Sequence, residues 1–288
     1  MMNSSNTTYF INPEDPTEQT RLLQQALYLT EALGGLFPER DLAGVTSVLD
    51  VACGPGYWAL DLADAYKEQG IGVIGIDISQ RMIAYANAQA QVRDIEENAS
   101  FLVMDVLQPL DFPDGQFDMV NARFLETFLP ALRWPAVVQE CIRVLRPGGM
   151  LRVTTSEVAS CNYAAYERLF QLSAKALNLA GQGFSHSGHV LGVAPMLNYF
   201  LRQAGCIHIQ ERATLLNHSF GQPYREGLTQ NSLIGFALLK PFLLKFQVTT
   251  GEEFERLYNQ AEDEMKQEDF CAITPLTTAW GTKPTSGS

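Results

Sequence analysis

The stretch SVLDVACGPGYWALDLA, residues 47–63, constrains the fold more than any other part of the chain. Residues 48–52 form a short apolar run, which predicts a buried strand. A glycine turn containing Gly54 and Gly56 follows, and residues 57–69 then have a helical pattern. A strand that enters a helix through a tight glycine turn is the first unit of a parallel α/β sheet.

Short apolar runs continue to alternate with helical patterns after this unit. Further strands are predicted at residues 71–76, 101–104, 117–121 and 150–155. Helices are predicted from Ser79, which can serve as an N-cap, to about residue 96, and over residues 134–145. This alternation predicts an α/β fold in which helices cover both faces of a doubly wound parallel sheet.

Helical patterns also dominate the two ends of the chain. Before the glycine turn, Asp15 is the expected N-cap of a helix that ends at Gly34, with Glu18 completing a capping box. The C-terminal third predicts helices at residues 163–180 and 195–204, and two or more helices within residues 228–268. The segments CIHIQERAT and AITPLTTAWGTK alternate as strands.

Composition excludes several classes of function. The formal net charge of −12 over 288 residues would repel a phosphate backbone, so we expect no nucleic-acid partner. The five cysteines are scattered without a C-x-x-C pair, which favours reduced thiols in the cytoplasm over disulfides or a metal site. The longest apolar stretch, residues 233–246, is interrupted by lysines and a proline, so we expect no membrane span and no membrane partner.

An acidic residue follows the second predicted strand at the distance expected in a nucleotide site. The turn reads G-x-G-x-x-A from Gly54, and Asp77 lies 21 residues beyond Gly56. Glycines let a ligand approach the backbone, and a carboxylate at this position accepts hydrogen bonds from ribose hydroxyls. This pattern by itself is compatible with an NAD-dependent oxidoreductase.

Two other acids favour a cationic ligand instead. Asp50 precedes the turn, where a carboxylate would add nothing to the binding of a diphosphate and would attract a positive charge. Asp105 follows the third strand in FLVMDV and could accept a hydrogen bond from the exocyclic amine of adenine. Three carboxylates at the ends of three consecutive strands suit S-adenosyl-L-methionine, a positively charged nucleoside with an amino-acid tail.

The segments VLDVACGPG, VIGIDIS, FLVMDV, FDMVNARF and RVLRPGGMLRV resemble, in order and spacing, the motifs of the class I S-adenosylmethionine-dependent methyltransferases. The resemblance covers residues 48–157 and is nearest to the branch of ubiquinone and menaquinone biosynthesis, which methylates small molecules. Ala52 stands where the family usually has glycine, and Pro55 where Thr or Ser is common. Both departures leave Gly54 and Gly56 intact.

The resemblance implies a Rossmann-like, seven-stranded, mostly parallel sheet with an antiparallel last strand. It implies one methyltransferase domain over residues 1–288, with a helical cover at 1–44, a cofactor-binding core at 45–157, and a lid, helical insertion and closing strands at 158–288. Asn121 would line the methyl-transfer site, with Arg123 beside it. The full set of implied cofactor-binding residues is Asp50, Ala52, Cys53, Gly54, Gly56, Asp77, Ile78, Asp105, Val106 and Asn121.

Methyl transfer from a sulfonium needs alignment and exclusion of water more than a particular catalytic group. If the acceptor is a hydroxyl, a histidine can act as general base, and the loop GFSHSGHVLG supplies His186 and His189. With Arg123 these are the candidate catalytic residues. Both histidines could instead be ordinary loop residues, and we expect His208 and His218 to be structural.

Aromatic residues occur in the segments expected to cover the acceptor. They could stack on a planar substrate or simply pack in the core: Tyr9, Phe10, Tyr28, Tyr163 and Tyr166. The stretch NARF lacks the prolines typical of adenine and glutamine methylation, and no Pro-Cys dipeptide of carbon-5 pyrimidine enzymes occurs. We therefore expect a small-molecule acceptor and a monomer or homodimer. The alternatives are an oxidoreductase and a protein that keeps the fold without methyl transfer.

Overall fold

The computed structural model describes residues 10–39 and 41–285. Its sheet consists, in these residues, of eight strands: β1 (Ser47–Val51), β2 (Gly72–Asp77), β3 (Ala99–Val103), β4 (Phe117–Arg123), β5 (Leu145–Ser156), β6 (Ser160–Cys161), β7 (Ile207–Asn217) and β8 (Ala272–Thr282). The strand order is β3-β2-β1-β4-β5-β8-β6, with β7 also paired to β8. Strands β1 to β5 are parallel, and β8 is antiparallel to β5, β6 and β7.

The short strand β6 explains why the sheet has eight strands where the sequence predicts seven. Ser156 of β5 pairs with Leu276 of β8, and Ser160 of β6 pairs with Ile273 of the same strand. Strand β6 is therefore a continuation of β5 after a break at residues 157–159. The predicted mostly parallel sheet with an antiparallel last strand is confirmed.

Helices cover both faces of this sheet, as the alternating pattern predicts. They are α1 (Pro16–Ala32), α2 (Tyr57–Ala65), α3 (Gln80–Val92), α4 (Trp134–Val144), α5 (Ala164–Leu179), α6 (Leu197–Gln203), α7 (Arg225–Lys245) and α8 (Gly251–Glu264). Residues of α2 and α3 pack with Val48 and Met119 in one apolar core. Residues of α4 and α6 pack with Leu49 and Val120 in a second core on the opposite face.

A third apolar core lies between the helices α5, α7 and α8. The segment between β7 and β8 therefore folds as two helices, which confirms the predicted helical insertion. Helix α1 packs against α7, so the N-terminal segment and the insertion together cover one edge of the sheet. None of the helices in residues 10–39 and 41–285 has the length and hydropathy that a membrane span requires.

Helix α1 has the N-cap that its sequence predicts, but Glu18 has a different role from the predicted one. Asp15 is the N-cap, and its Oδ1 accepts a hydrogen bond of 2.8 Å from the amide of Thr17. Glu18 does not complete the predicted capping box, because the amide of Asp15 donates to the carbonyl of Asn12 instead. The carboxylate of Glu18 is buried and accepts two hydrogen bonds from Arg21, at 2.6 and 2.7 Å, because an acid without exposure needs a charged partner.

Candidate functional site

A cavity of about 380 Å³ opens at the carboxyl ends of β1 and β2 and beside the residues that follow β3, β4 and β5. Such an edge is where parallel α/β sheets bind their ligands. Helices α1, α5 and α7 cover the cavity on the opposite side. The side formed by the strand ends, here called the strand-end side, includes Asp50, Cys53, Gly54, Asp77, Asp105 and Arg123.

The glycine turn forms the floor of the strand-end side. Ala52, Gly54 and Gly56 have φ angles of 54°, 56° and 80°, which is the left-handed region that glycine tolerates best. Ala52, Cys53 and Gly54 line the cavity, as the sequence predicts, together with Pro55. Gly56 does not line it.

Gly56 is required for packing below the cavity. A Cβ atom there would lie 2.7 Å from Phe101 and 2.8 Å from Ala86. The first glycine of the turn thus leaves room for a ligand, whereas the second lets α2 approach β3 and α3 closely.

Asp77 supports the turn through two backbone hydrogen bonds. Its Oδ2 accepts from the amide of Gly54 and its Oδ1 accepts from the amide of Ser79, both at 2.9 Å. Burial raises the pKa of Asp77 above its ordinary value. Ile78 beside it also lines the cavity.

Asp105 lies at the next strand end, as the sequence predicts. It lines the cavity with Val106, and its Oδ1 accepts a hydrogen bond of 2.9 Å from the amide of Leu107. The parallel sheet therefore brings the three predicted carboxylates to one edge, because β1, β2 and β3 all run in the same direction.

Asp50 and Arg123 are oppositely charged residues of the cavity wall, and each has a polar atom without a hydrogen-bond partner. These atoms, Asp50 Oδ2 and Arg123 Nη1, are buried and unpartnered within the described residues. Burial raises the pKa of Asp50 to about 6 and lowers the pKa of Arg123 to about 10. The guanidinium carbon of Arg123 lies over the ring of Trp58, 5.7 Å from the ring centroid. A ligand that carries both charges would satisfy both groups.

Asn121 does not lie where the resemblance implies. The side chain is fully buried in β4 and is absent from the cavity wall. Its Nδ2 donates to Asp50 Oδ1 at 2.7 Å, and its Oδ1 accepts from Arg152 Nη1 at 2.9 Å. Both the nitrogen and the oxygen of the Asn121 amide group are therefore used in hydrogen bonds inside the sheet. Through the first of these bonds Asn121 positions Asp50.

The two predicted catalytic histidines are also away from the cavity. His186 and His189 are exposed and do not line it. Their loop is attached to the sheet by Glu157, which accepts hydrogen bonds of 2.7 and 2.8 Å from the amides of Leu191 and Gly192. This anchoring brings Leu191 to the cavity and leaves the histidines in solvent.

His218, which the sequence suggests to be structural, is the histidine that lines the cavity. Its imidazole is 2% exposed and is hydrogen-bonded on both nitrogens, to Tyr166 and Thr274. The sequence signal was weak because His218 stands just after a strand, with neither a motif nor a neighbouring catalytic residue. His208 lies in an irregular part of β7, outside the cavity wall.

The side of the cavity opposite the strand ends, here called the helix side, is mainly apolar. Its lining residues come from α5, α7 and the ends of β7 and β8, and they include Phe170, Leu177, Leu216, Phe236, Leu239 and Leu276. Of the predicted aromatic residues, Phe10 lines the cavity, whereas Tyr28, Tyr163 and Tyr166 do not. Tyr9 lies outside the described residues.

Helices α1 and α7 are joined above the cavity by polar side chains. Arg21 donates to Asn231 Oδ1 at 3.1 Å and to Gln25 Oε1 at 3.2 Å, while Asn231 Nδ2 donates to the carbonyl of Arg21 at 2.9 Å. All three residues line the cavity. The charge of Arg21 is matched by the buried carboxylate of Glu18.

A buried carboxylate also lies beneath the cavity wall after β4. Glu126 is 1% exposed, and its Oε1 accepts hydrogen bonds from the amide and the hydroxyl of Ser156 at 2.8 and 2.9 Å. Burial raises the pKa of Glu126 to about 7. Ser156 itself lines the cavity, so Glu126 supports the wall without touching the space.

Comparison with known families agrees with this geometry. Residues 48–149 match a family model described as a methyltransferase domain. This match confirms the resemblance that the five sequence motifs indicate. It covers the glycine turn, the three strand-end carboxylates and Arg123.

Two curated relatives each match about half of the chain. The 27-O-demethylrifamycin SV methyltransferase of Amycolatopsis mediterranei is 36% identical over 134 residues, which are 46% of this chain and 46% of that protein. The demethylmenaquinone methyltransferase of Shouchella clausii is 32% identical over 148 residues, 51% of this chain and 60% of that protein. The chain thus spans about half the length of the curated relatives it matches.

A solved structure has a similar fold over nearly the whole chain. Phosphoethanolamine N-methyltransferase 2 of Haemonchus contortus, in complex with phosphomonomethylethanolamine and S-adenosylhomocysteine, is 18% identical with a TM-score of 0.56. The alignment covers 96% of this chain and 60% of that one. At this level of identity the likeness concerns the fold alone.

Proposed function

We propose that this chain, whose residues 48–149 match a family model described as a methyltransferase domain, transfers a methyl group from S-adenosyl-L-methionine to a small-molecule acceptor. The observation that carries the proposal is the pair of opposite charges formed by Asp50 and Arg123 beside the glycine turn. Both line one cavity, and both retain a buried polar atom without a partner in the described chain.

The residues present fit the amino-acid end of the cofactor. Asp50 would hold the ammonium group and Arg123 the carboxylate group, which leaves neither buried charge uncompensated. This gives Arg123 a binding role in place of the catalytic role expected from the sequence. Gly54 adds no side chain above the turn, so the ligand can approach the backbone.

The residues at the next two strand ends fit the nucleoside. Asp77, held by the amides of Gly54 and Ser79, would accept hydrogen bonds from the ribose hydroxyls. Asp105 and Val106 would contact the adenine ring from the neighbouring strand end. Ile78, which follows Asp77 in the chain and also lines the cavity, would pack against the nucleoside.

When bound, the cofactor supplies an activated methyl group for an in-line displacement. The chain then contributes alignment and exclusion of water, for which a covered cavity is sufficient. Helices α1 and α7 are joined over the helix side by the contact of Arg21 with Asn231, and the apolar lining between them would disfavour water beside the acceptor. His186 and His189 have no part in this proposal.

Several observations support a small-molecule acceptor. Helices α1, α5 and α7 cover the cavity, and the net charge of −12 disfavours nucleic acid. The two curated relatives are named as methyltransferases of 27-O-demethylrifamycin SV and of demethylmenaquinone, both small molecules. A cytoplasmic location and a monomeric or homodimeric state remain predictions.

Binding of S-adenosylhomocysteine tests the proposal directly. A ligand at 100 times its dissociation constant stabilises a protein by about 2.7 kcal/mol, so its addition should raise the unfolding temperature measurably. Asp77→Ala should weaken the affinity at least tenfold, because a charge-assisted hydrogen bond is lost. Asp64→Ala is the matched control, since Asp64 is exposed on α2 and lies outside the cavity.

Two measurements separate the proposal from its alternatives. A shift of the unfolding temperature with NADH and none with S-adenosylhomocysteine would favour an oxidoreductase and reject the proposal. A protein that keeps the fold without transfer would bind S-adenosylhomocysteine, yet would release no demethylated cofactor when incubated with methyl-labelled S-adenosylmethionine and extracts of small molecules.

A further inference from the structure

A row of four uncharged polar side chains lies at the helix side of the cavity. Thr274 Oγ1 is 2.9 Å from His218 Nε2, and His218 Nδ1 is 3.0 Å from the hydroxyl of Tyr166. The same hydroxyl is 3.1 Å from Ser232 Oγ. These side chains come from β8, from the end of β7, from α5 and from α7, so the tertiary structure alone brings them together.

Both ends of this row reach the cavity. Thr274, His218 and Ser232 line it, whereas Tyr166 is fully buried behind them. We call the three lining residues the polar wall. Around them the helix side is apolar, with Leu216, Leu276 and other aliphatic and aromatic residues.

The polar wall carries no net charge. Burial lowers the pKa of His218 to about 4, so its imidazole is neutral at pH 7. The described lining residues contributed by α5, β7, α7 and β8 include no Asp, Glu, Lys or Arg. Arg21, which reaches the cavity from α1, is already bonded to the carboxylate of Glu18.

A wall of this composition can donate or accept hydrogen bonds as a ligand requires. The two nitrogens of the neutral His218 imidazole can exchange their N–H and lone pair, so the Thr274 hydroxyl bonded to Nε2 can either donate to a ligand or accept from it. The Ser232 hydroxyl donates to the carbonyl of Leu228 at 2.9 Å and can accept from a ligand. An ionised group placed here would lose its hydration without meeting an opposite charge, which costs several kcal/mol in an apolar setting. The wall therefore favours an uncharged hydroxyl or carbonyl group.

We propose that the methyl acceptor is a largely apolar molecule that places an uncharged hydroxyl or carbonyl group against Thr274, His218 and Ser232. This inference rests on the proposed function, because it assigns the helix side to the acceptor and the strand-end side to the cofactor. His218 is then a positioning residue, which sets whether the Thr274 hydroxyl donates to the acceptor or accepts from it.

Three probes on one apolar frame test this preference: 2-naphthol, naphthalene and 2-naphthoate. Each is titrated by calorimetry into the full chain saturated with S-adenosylhomocysteine. We expect 2-naphthol to bind at least fivefold more tightly than naphthalene, as a net hydrogen bond provides. We expect 2-naphthoate to bind more weakly than either of them.

Variants connect this preference to the wall. The double variant Thr274→Val with Ser232→Ala should bind 2-naphthol and naphthalene within twofold of each other. Thr278→Val is the matched control, because Thr278 is on the same strand and bonds to Thr154 at 3.0 Å, outside the cavity. It should retain the fivefold preference. Circular dichroism and the unfolding temperature show that each variant is folded.

The outcomes separate this inference from the proposed function. Equal binding of the three probes, preference for 2-naphthoate, or no binding of any probe would overturn the inference while S-adenosylhomocysteine still binds. Loss of S-adenosylhomocysteine binding would reject the proposed function instead. In that case the probe titrations of the unliganded protein still decide whether the wall prefers an uncharged polar group.

Discussion

Asp50 and Asn121 are register partners in β1 and β4, and a hydrogen bond of 2.7 Å joins their side chains inside the sheet. Asn121 also accepts a hydrogen bond from Arg152, its register partner in β5, and Arg152 forms a buried ion pair with Glu39 at 3.1 Å. One carboxylate of the cavity is thereby held by a polar row that crosses three strands.

Replacement of Asn121 by alanine should destabilise the protein by about 3 kcal/mol, because it leaves Asp50 and Arg152 buried with fewer partners. Urea unfolding at pH 7 measures this free energy. The affinity for S-adenosylhomocysteine should fall as well, since Asp50 loses the contact that orients it. A variant with wild-type stability and affinity would show that the row has no positioning role.

Asp50→Asn should have opposite effects on stability and on binding. The folded-state pKa of Asp50 is about 6 against an ordinary 3.8, so its ionisation opposes folding at neutral pH. The unliganded variant should be more stable than wild type at pH 8 by about 2 to 3 kcal/mol. Urea unfolding without ligand measures whether the variant is more stable than wild type. A less stable variant would contradict burial as the cause of the raised pKa of Asp50.

The same raised pKa predicts how binding depends on pH. The wild-type affinity for S-adenosylhomocysteine should fall as pH decreases through 6, by up to tenfold per pH unit, because protonated Asp50 no longer attracts the ammonium group. Asp77 also has a raised pKa and contributes to the profile. The difference between wild type and Asp50→Asn isolates Asp50. If the affinity of wild type and of Asp50→Asn changed with pH in the same way, the proposed contact between Asp50 and the ammonium group would be excluded.

The two glycines of the turn should respond differently to alanine. Gly56→Ala forces a Cβ against Phe101 and Ala86 at a φ of 80°, and we expect a loss of about 3 kcal/mol. At Gly54 the nearest atom would be a methyl carbon of Leu22 at 3.9 Å, so Gly54→Ala should lose only about 1 kcal/mol, from its φ of 56°. Thermal or urea unfolding compares them, and equal losses would contradict the packing argument.

Glu126→Gln tests the buried carboxylate below the cavity wall. Glu126 has a folded-state pKa of about 7 against 4.5, so its contribution to stability is present below pH 4.5 and is lost as pH rises through 7. The variant should exceed wild type by about 2 to 3 kcal/mol at pH 8, and the two should converge near pH 4.5. Unfolding free energies across this range measure the difference. A gap independent of pH would exclude titration of Glu126 as the cause.

Most of the fold was predictable because its signals are local. Apolar runs, helical periodicity and the glycine turn identify the strands and helices of the core, and the parallel arrangement follows from their alternation. The break between β5 and β6 was not predictable. It depends on which residues of β8 pair with each segment, and those partners lie more than a hundred residues along the chain.

The site was predictable only in part. The positions of Asp50, Asp77 and Asp105 follow from the sequence, because the carboxyl ends of parallel strands meet at one edge of a sheet. Asn121 also stands near a strand end, but its side chain bonds to neighbours across the sheet and does not reach the cavity.

By itself the sequence determined the α/β class, the glycine turn and the acidic edge of the sheet, since each is written in residues close together in the chain. The tertiary structure decided which groups line the helix side of the cavity. It placed His218 in the cavity and left His186 and His189 in solvent. The physical reason is that the cover consists of helices and loops from distant segments, and their packing, unlike strand periodicity, depends on contacts that no local pattern records.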